Sequence, residues 1–435
     1  MNDEAKKAKA EKLLNALNDT DDEMIIAASQ RKKSAKRRLP LWCGIGAAAV
    51  LAVGGIAAGV ILSRDPGELL PPVDPSGTLT ADENLPKISA ETVNGAMGFE
   101  GIMVPDITDY ATNNPWSAEK NIKVMPVYKN RVACNQGGAV ITDADYDTVT
   151  SEIKALLIEN AARLGVTLTE SDITDNGHPK DEWEKVAAGY EEALREPVPK
   201  GYFIPQTFTA VTDEYKIQTD CDFTTSIFFS NPVDVPVDLN ATDHDKAVEA
   251  AEYLLEEYSG LLNMAEPEIC ITGGDYYYDN YGGRSPFEIS FYDASGTPEQ
   301  DIENYFMNFV RFYGNDEGKL WIIRIFRLDL AAELIGNYPL ITPEEAEEML
   351  KNGEYASSAP VEEGWKPDSF GRVELVYRAG RVDKYFIPYY KFWVDISDVM
   401  PGEYSSENRT YGAFYVPAVE PQYIEDVPTY DGRFN

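Results

Sequence analysis

Residue patterns that could carry chemistry are few in this chain of 435 residues. The segment Thr142–Asp147, TDADYD, starts like a calcium-binding loop, in which alternating aspartates supply oxygen ligands. Such a loop needs glycine at its sixth position and glutamate at its twelfth, but Thr148 and Lys154 occupy these positions. The pattern therefore favours the acidic first turn of a helix, which the helix dipole stabilises.

Motifs for a catalytic nucleophile give no candidate either. The sequence contains neither GxSxG nor SxxK, and its two histidines, His178 and His244, lie in polar surroundings typical of a surface or helix-start residue. Acidic residues are so numerous that a carboxylate pair for glycoside chemistry cannot be chosen without distances. We therefore predict no catalytic, cofactor-binding or metal-binding residue, and no enzymatic activity.

One loop combines four tyrosines with glycines and aspartates, at Gly273–Gly283 (GGDYYYDNYGG). It lies between two strand candidates, so its aromatic faces could bind a peptide or a sugar. A long hairpin tip without a ligand is the interpretation that we favour.

The cysteines leave two alternatives open. Cys43 lies in an apolar run, whereas Cys134, Cys221 and Cys270 are widely spaced outside it and form no CxxC motif. A zinc site is therefore not predicted. One disulfide between two of the three, or three buried thiols, both agree with the sequence.

An uncharged apolar run of 24 residues at 39–62 divides the chain. A helix of this length reaches about 36 Å, enough to cross a hydrocarbon core of about 30 Å. The preceding segment Arg31–Arg38 has six positive side chains in eight residues, which predicts a cytoplasmic N-terminus and an extracytoplasmic C-terminal region in a single-pass cell-membrane protein. A cleaved signal peptide and a buried core helix are the alternatives. The n-region of a signal peptide would be 38 residues long here and no clean A-x-A site follows, and a buried core helix is disfavoured by the length of the uncharged run and its basic flank. Gly55 and Gly59 form a GxxxG, which could be a helix-pairing face for a homodimer in the bilayer; the alternative is that glycine and alanine are common in such spans without pairing.

Charge is unevenly distributed around this run. Residues 1–38 carry 10 basic and 7 acidic side chains, whereas the part after the run carries 28 basic and 67 acidic ones, a net charge of -39. So acidic a region argues against nucleic acid as a partner, because nucleic acids are polyanions.

The N-terminal tail, residues 1–38, has the pattern of two short amphipathic helices. Leucines at 13, 14 and 17 line one face of the first, and Thr20–Glu23 has the capping-box pattern that opens the second. Neither helix can bury enough apolar area alone. We therefore expect them to contact the membrane surface, each other or a cytoplasmic protein partner.

The run at 11–52, EKLLNALNDTDDEMIIAASQRKKSAKRRLPLWCGIGAAAVLA, resembles the N-terminal signature of a group of uncharacterised single-pass membrane proteins of Gram-positive anaerobes. Some of these are described as anti-sigma-factor-like. The resemblance continues in Met125–Asn130, Tyr385–Ile396 and Tyr411–Val419. It implies a regulatory tail and a membrane anchor, although the zinc-binding motif HxxxCxxC of some anti-sigma domains does not occur.

After the apolar run, the pattern predicts an extracytoplasmic linker at 63–120, a first α+β module at 121–240 and a second α+β region at 241–435 with two repeated helix–sheet units. The linker is rich in Pro, Gly, Asp, Thr and Asn and has no sustained periodicity. In the first module, 121–130 is strand-like, helical spacing extends from Val149 to Leu164, and a more polar helix is predicted at 179–195.

The second region repeats one pattern of residues. Thr297-Pro298 and Thr342-Pro343 each supply an N-cap and a proline at the first helical position, with Gln or Glu at the third. The first helix is predicted to end at Gly314 and the second at Gly353, each followed by strands.

One of these strands, Tyr385–Ile396, alternates in a way that predicts one buried and one solvated face, with Tyr389, Lys391, Trp393 and Asp395 on the solvated one. Pro388 indicates a sheet edge or a strand start. A helix followed by an antiparallel meander indicates an α+β fold, with helices packed on sheets. The last unit resembles, in topology, the PepSY-type helix-on-sheet modules of exported regulatory segments.

The sequence thus predicts one transmembrane helix with exterior helix-on-antiparallel-sheet modules, and supports two non-catalytic functions. The first is an extracytoplasmic sensory or regulatory protein whose tail binds a cytoplasmic partner. The second is a tethered cell-surface binding or structural module without a signalling role. An enzyme would need a concave pocket with convergent carboxylates.

Overall fold

The computed structural model describes residues 79–90, 100–134, 146–177, 207–276, 284–362, 364–400 and 407–430, with four single positions between 182 and 189. All of these belong to one compact unit, Gly54–Asn435. Helices in these ranges are α1 (Tyr146–Arg163), α2 (His244–Glu257), α3 (Ser259–Leu262), α4 (Pro298–Met307) and α5 (Pro343–Asn352).

Strands in the same ranges form two antiparallel sheets, of eight and seven strands. The larger sheet contains β3 (Ile173–Asp175), β4 (Thr207–Val211), β5 (Tyr215–Asp220), β6 (Thr225–Val233), β7 (Pro267–Thr272), β8 (Glu288–Asp293), β9 (Asn308–Gly314) and β10 (Leu320–Arg327). The smaller sheet contains β1 (Gly101–Val104), β2 (Val124–Asn130), β11 (Ala332–Pro339), β12 (Ala356–Ser357), β13 (Arg372–Arg378), β14 (Tyr385–Asp395) and β15 (Arg409–Pro417).

The larger sheet is built from two helix-plus-four-strand units. Its strand order, β3-β4-β5-β6-β10-β9-β8-β7, places the last strand of each unit at the centre, where β6 pairs with β10. Helix α1 packs on β4 and β5, and α2 packs on β7 and β8. Apolar side chains of α1, among them Ile153 and Leu157, are fully buried, as expected of a helix laid on a sheet.

The smaller sheet has the order β1-β15-β14-β2-β11, with β12 added on β15 and β13 on β14. Strand β14 therefore pairs with β2, β13 and β15. Strands β2 and β15 are therefore both neighbours of β14. These three strands overlap the segments that continue the sequence resemblance, Met125–Asn130, Tyr411–Val419 and Tyr385–Ile396. Helix α5 covers one side of β15, and α4 bridges the sheets by packing on β8, β9 and β13.

The predicted N-caps of the two Thr-Pro helices are confirmed. Thr297 and Thr342 form capping boxes with Gln300 and Glu345, and prolines occupy the first helical positions. Gly353 ends α5 with φ +87°, a left-handed conformation that glycine adopts without a Cβ clash, and Gly165 has φ +78° after α1.

The predicted end of the first Thr-Pro helix is wrong. Helix α4 ends at Met307, and Asn308–Gly314 is strand β9, which pairs with both β8 and β10. The aromatic residues Phe309 and Tyr313 fit a helical period as well as a strand period, but two neighbouring strands satisfy the backbone here.

The predicted solvated face of β14 is also wrong. Tyr389 and Trp393 are 4% and 3% exposed, so both faces of the strand are covered. Pro388 lies inside the strand rather than at an edge: it pairs with Tyr377 of β13, and its carbonyl accepts a hydrogen bond from the Ala418 amide at 2.9 Å.

The folded region begins earlier than the predicted linker allows. Within 63–120, Ile88 bridges to Ile424, Asp82 bonds to Asn337 of β11, and β1 pairs with β15. Apolar side chains in this range, including Val104, are buried, although they show no periodicity in sequence. Each sheet also takes strands from both 121–240 and 241–435, so neither sheet lies within one of the predicted modules.

The α+β fold class is confirmed: antiparallel sheets carry a few packed helices. In the part of the chain that the structure describes, no helix has the length and apolar composition needed to cross a membrane. The apolar run at 39–62, the tail at 1–38 and nearly all of the helix predicted at 179–195 lie outside the described residues.

Candidate functional site

A cleft with a volume of about 460 Å³ opens beside the loop that joins β13 to β14. The smaller sheet and this loop supply most of its wall, and Phe306 of α4 enters from the larger-sheet side. Its lining consists of Glu100, Phe306, Val376, Tyr377, Arg378, Ala379, Gly380, Arg381, Val382, Asp383, Lys391 and Tyr415.

A charged row crosses the sheet on the cleft side. Strand pairing places Lys391 of β14 directly between Glu374 of β13 and Tyr415 of β15, so their side chains share one face. The Lys391 ammonium lies 3.6 Å from carboxylate oxygens of both Glu374 and Glu100, and 4.7 Å from the ring centroid of Trp393. The positive charge of Lys391 is therefore compensated by its neighbours.

Carboxylates in this row are also engaged. Glu100 accepts a short hydrogen bond from the Tyr415 hydroxyl, and Glu374 accepts one from the Trp393 indole N–H at 3.1 Å. Burial, with the adjacent Glu100 charge, holds the pKa of Tyr415 well above its usual value, so Tyr415 remains a hydrogen-bond donor.

Arg378, at the end of β13, is held by aromatic rings. Its guanidinium carbon lies 5.6 Å from the ring centroid of Tyr389 and 5.4 Å from that of Tyr415. Only 8% of the side chain is exposed, and the Nη1 atom has no hydrogen-bond partner. The nearest ionic contact is Asp383, whose Oδ1 lies 3.9 Å from Nη2. Arg378 is thus a buried cation with an unsatisfied donor.

The loop after β13 is held in position from two sides. Asn130, at the end of β2, donates its side-chain amide to the carbonyl oxygens of Gly380 and Asp383 at 3.2 and 2.9 Å. Arg381 reaches the larger sheet, where its guanidinium donates to Asp220 and Asp222 at 3.2–3.3 Å. The cleft wall is therefore connected to the turn between β5 and β6.

The turn that receives Arg381 has a strained backbone. Phe223 is fully buried with φ +63°, which is uncommon for a residue other than glycine. The turn also contains Cys221, and the Cys134 thiol donates to the Arg381 carbonyl oxygen at 3.4 Å. Burial raises the pKa of Cys134 to about 12 and that of Cys221 further, so neither thiol is a nucleophile at neutral pH.

The cleft suits recognition of an anion. Its lining residues, all of which the structure describes, include no serine, threonine, cysteine or histidine. Burial raises the pKa of Asp383, and the neighbouring Arg378 charge acts in the opposite direction. The apolar Phe306, Val376 and Val382 complete the wall, so a ligand with one anionic group and a hydrocarbon part matches the lining.

The sequence motifs lie elsewhere. The start of the calcium-like pattern, 142–145, lies outside the described residues, and Asp147 is in the first turn of α1. Within the described ranges, no group of three His, Cys, Asp or Glu side chains is placed to hold a metal. His244 opens α2 as predicted, whereas His178 is outside the described residues.

The tyrosine-rich loop joins the paired strands β7 and β8, and Tyr276 bridges to Arg284 across its base. Positions 277–283 lie outside the described residues. Of the two alternatives for the cysteines, the structure has Cys134, Cys221 and Cys270 as buried free thiols.

Sequence reasoning missed the cleft residues Arg378, Asp383 and Glu100. The alternation of β14 did place one lining residue, Lys391, on the predicted solvated face, but it gave no signal for these three. The polar segment that contains Arg378 and Asp383 reads as a hairpin turn, and only the fold brings Glu100 beside Lys391.

Comparison with known proteins gives no relative from which a function could be transferred. No protein-family model matches the chain, and a search of curated proteins finds no related sequence.

Proposed function

We propose that this protein is a membrane-anchored, extracytoplasmic sensory or regulatory protein whose folded region binds a small ligand. The observation that carries the proposal is the cleft, where an under-satisfied buried cation, Arg378, stands beside apolar walls. No catalytic activity is proposed.

The position of the cleft supports a role in signalling. Phe306 belongs to α4, which packs on strands of both sheets, and Arg381 connects the cleft wall to the β5–β6 turn. A ligand in the cleft would therefore contact groups whose positions depend on both sheets. If the two sheets move relative to one another, the ligand would bind the two conformations with different affinities, and such a difference is what shifts a conformational equilibrium.

The anchor and the orientation in this proposal depend on sequence. The apolar run at 39–62 and its basic flank support an N-in, C-out single-pass topology. Residues 1–38 would then contact a cytoplasmic protein, and Gly55 with Gly59 would provide a homodimer contact in the bilayer.

The test compares the full-length protein with one in which residues 1–28 are replaced by an unrelated polar segment of equal length. If the protein is sensory, a pull-down with the full-length chain should recover a cytoplasmic partner that binds the tail, and the chain with the replaced tail should not recover it. The genes whose transcription changes when this gene is deleted should change in the same way when only the tail is replaced. External protease on intact cells should digest the C-terminal region. Recovery of no partner, together with transcription unchanged on deletion, would refute signalling and leave the tethered binding module.

A further inference from the structure

Arg378 is the positive side chain of the cleft that has a hydrogen-bond donor without an acceptor. Of the three positive side chains in the lining, Lys391 lies between two carboxylates and Arg381 donates to two others. Among the residues that the structure describes, Arg378 has one ionic contact, at 3.9 Å, which is longer than a hydrogen bond. A buried guanidinium with an unpaired Nη1 is costly, because its charge has lost water without gaining an equivalent acceptor.

The surroundings of Arg378 select the kind of anion. The rings of Tyr389 and Tyr415 hold the guanidinium in place, so its planar fork has a defined orientation that matches a planar carboxylate. Glu100 and Asp383 also line the cleft, and they would repel a dianion more strongly than a monoanion.

The volume and the apolar walls of the cleft indicate the size of the ligand and the chemistry of its uncharged part. A volume of about 460 Å³ lies in the range of small-molecule sites and is too small for a protein chain. Phe306 and Val382, which are both partly exposed, offer apolar surface to a hydrocarbon or aromatic group.

We propose that the cleft binds a small-molecule monocarboxylate, whose carboxylate pairs with Arg378 and whose apolar part packs against Phe306 and Val382. This proposal rests on the proposed function, which requires a ligand in the cleft, and adds the chemical class of that ligand.

The experiment measures dissociation constants by ligand-detected NMR titration of the detergent-solubilised full-length chain at pH 7. The probes are 3-phenylpropionate, its neutral analogue 3-phenylpropanamide, the dianion phenyl phosphate, and acetate. We expect 3-phenylpropionate to bind at least about 10-fold more tightly than the amide, because a charge-assisted hydrogen bond is lost in the amide. Phenyl phosphate should also bind more weakly.

Arg378→Met should weaken binding of 3-phenylpropionate about 10-fold to 100-fold. The matched control is Arg324→Met, on the exposed side of β10, which removes a guanidinium over Tyr313 and should leave binding unchanged. If Arg378→Met does not fold, Arg378→Lys tests the same point, since lysine keeps the charge and loses the planar fork.

Equal binding of acid and amide, tighter binding of phenyl phosphate, or failure of both 3-phenylpropionate and acetate to bind would overturn the monocarboxylate. The order of the dissociation constants of the four probes on the wild-type chain tests the monocarboxylate proposal even if no variant folds. The proposed function fails separately, through the tail and transcription measurements, which need no carboxylate.

Discussion

The carboxyl group of Glu303 lies buried between the two sheets. Glu303 is on α4 and is 3% exposed, and its Oε2 accepts a hydrogen bond at 3.1 Å from the hydroxyl of Tyr128 on β2. Burial raises the pKa of this carboxyl group from 4.5 to about 8, with a smaller contribution of the same sign from Glu299. The Tyr128 hydrogen bond acts in the opposite direction but does not offset burial. At neutral pH, Glu303 is therefore protonated in the folded protein.

This shift makes stability depend on pH in a definite direction. Between pH 4.5 and about 8 the folded chain holds a proton on Glu303 that the unfolded chain has released. The stabilisation is therefore complete below pH 4.5 and is lost as the pH rises to about 8. The free energy of unfolding should fall by about 1.4 kcal/mol per pH unit in this window, or about 3.5 kcal/mol from pH 5 to pH 8.

The substitution Glu303→Gln tests this value, since glutamine has the same shape, cannot ionise and still offers an oxygen to Tyr128. Urea unfolding of the full-length chain at several pH values gives the free energy of unfolding of the wild type and of the variant. The contributions of other titrating groups cancel in the difference between the two, wild type minus variant. This difference should decrease by about 3.5 kcal/mol from pH 5 to pH 8. Glu333→Gln, at an exposed position of β11, is the control and should give a flat difference. Parallel curves for wild type and Glu303→Gln would refute the assignment of a protonated Glu303.

Three further substitutions or treatments follow from the contacts. Arg381→Met removes the partner of two carboxylates and should lower the free energy of unfolding by about 1–2 kcal/mol, measured by urea unfolding; an unchanged value would mean that the Arg381 contacts do not stabilise the sheets. Thr342→Ala should cost about 1 kcal/mol in a thermal melt through loss of the α5 capping box, whereas Thr342→Ser should cost less. Cys134 and Cys221 should resist alkylation at pH 8, mapped by mass spectrometry, until the protein is unfolded in urea; rapid labelling of the native protein would contradict their burial.

Several elements followed from local sequence alone. Thr297-Pro298 and Thr342-Pro343 predicted helix starts, and Gly353 predicted a helix end, because capping depends on residues within one turn. The start of β14 was also predicted, since a run rich in aromatic and β-branched residues favours a strand.

Pairing between distant segments did not follow. The aromatic run Phe309–Tyr313 became strand β9 because β8 and β10 pair with it on both sides, and its own residue pattern does not distinguish this pairing from a continued helix. The range 79–120 lacks periodicity, yet Ile88 and Val104 are buried because β15, β11 and the segment around Ile424 cover them.

The sequence by itself determined the α+β class, the N-caps of the two Thr-Pro helices, the position of strand β14 and the apolar run at 39–62. Those properties depend on neighbours within a few residues or on a continuous stretch of chain. Only the tertiary structure decided that the charged face of β14 forms the floor of a cleft. Lys391 and Tyr415 come from adjacent strands, and Glu100 and Phe306 come from distant segments. The Nη1 atom of Arg378 has no hydrogen-bond partner among the described residues because the fold buries it away from water without placing an acceptor beside it.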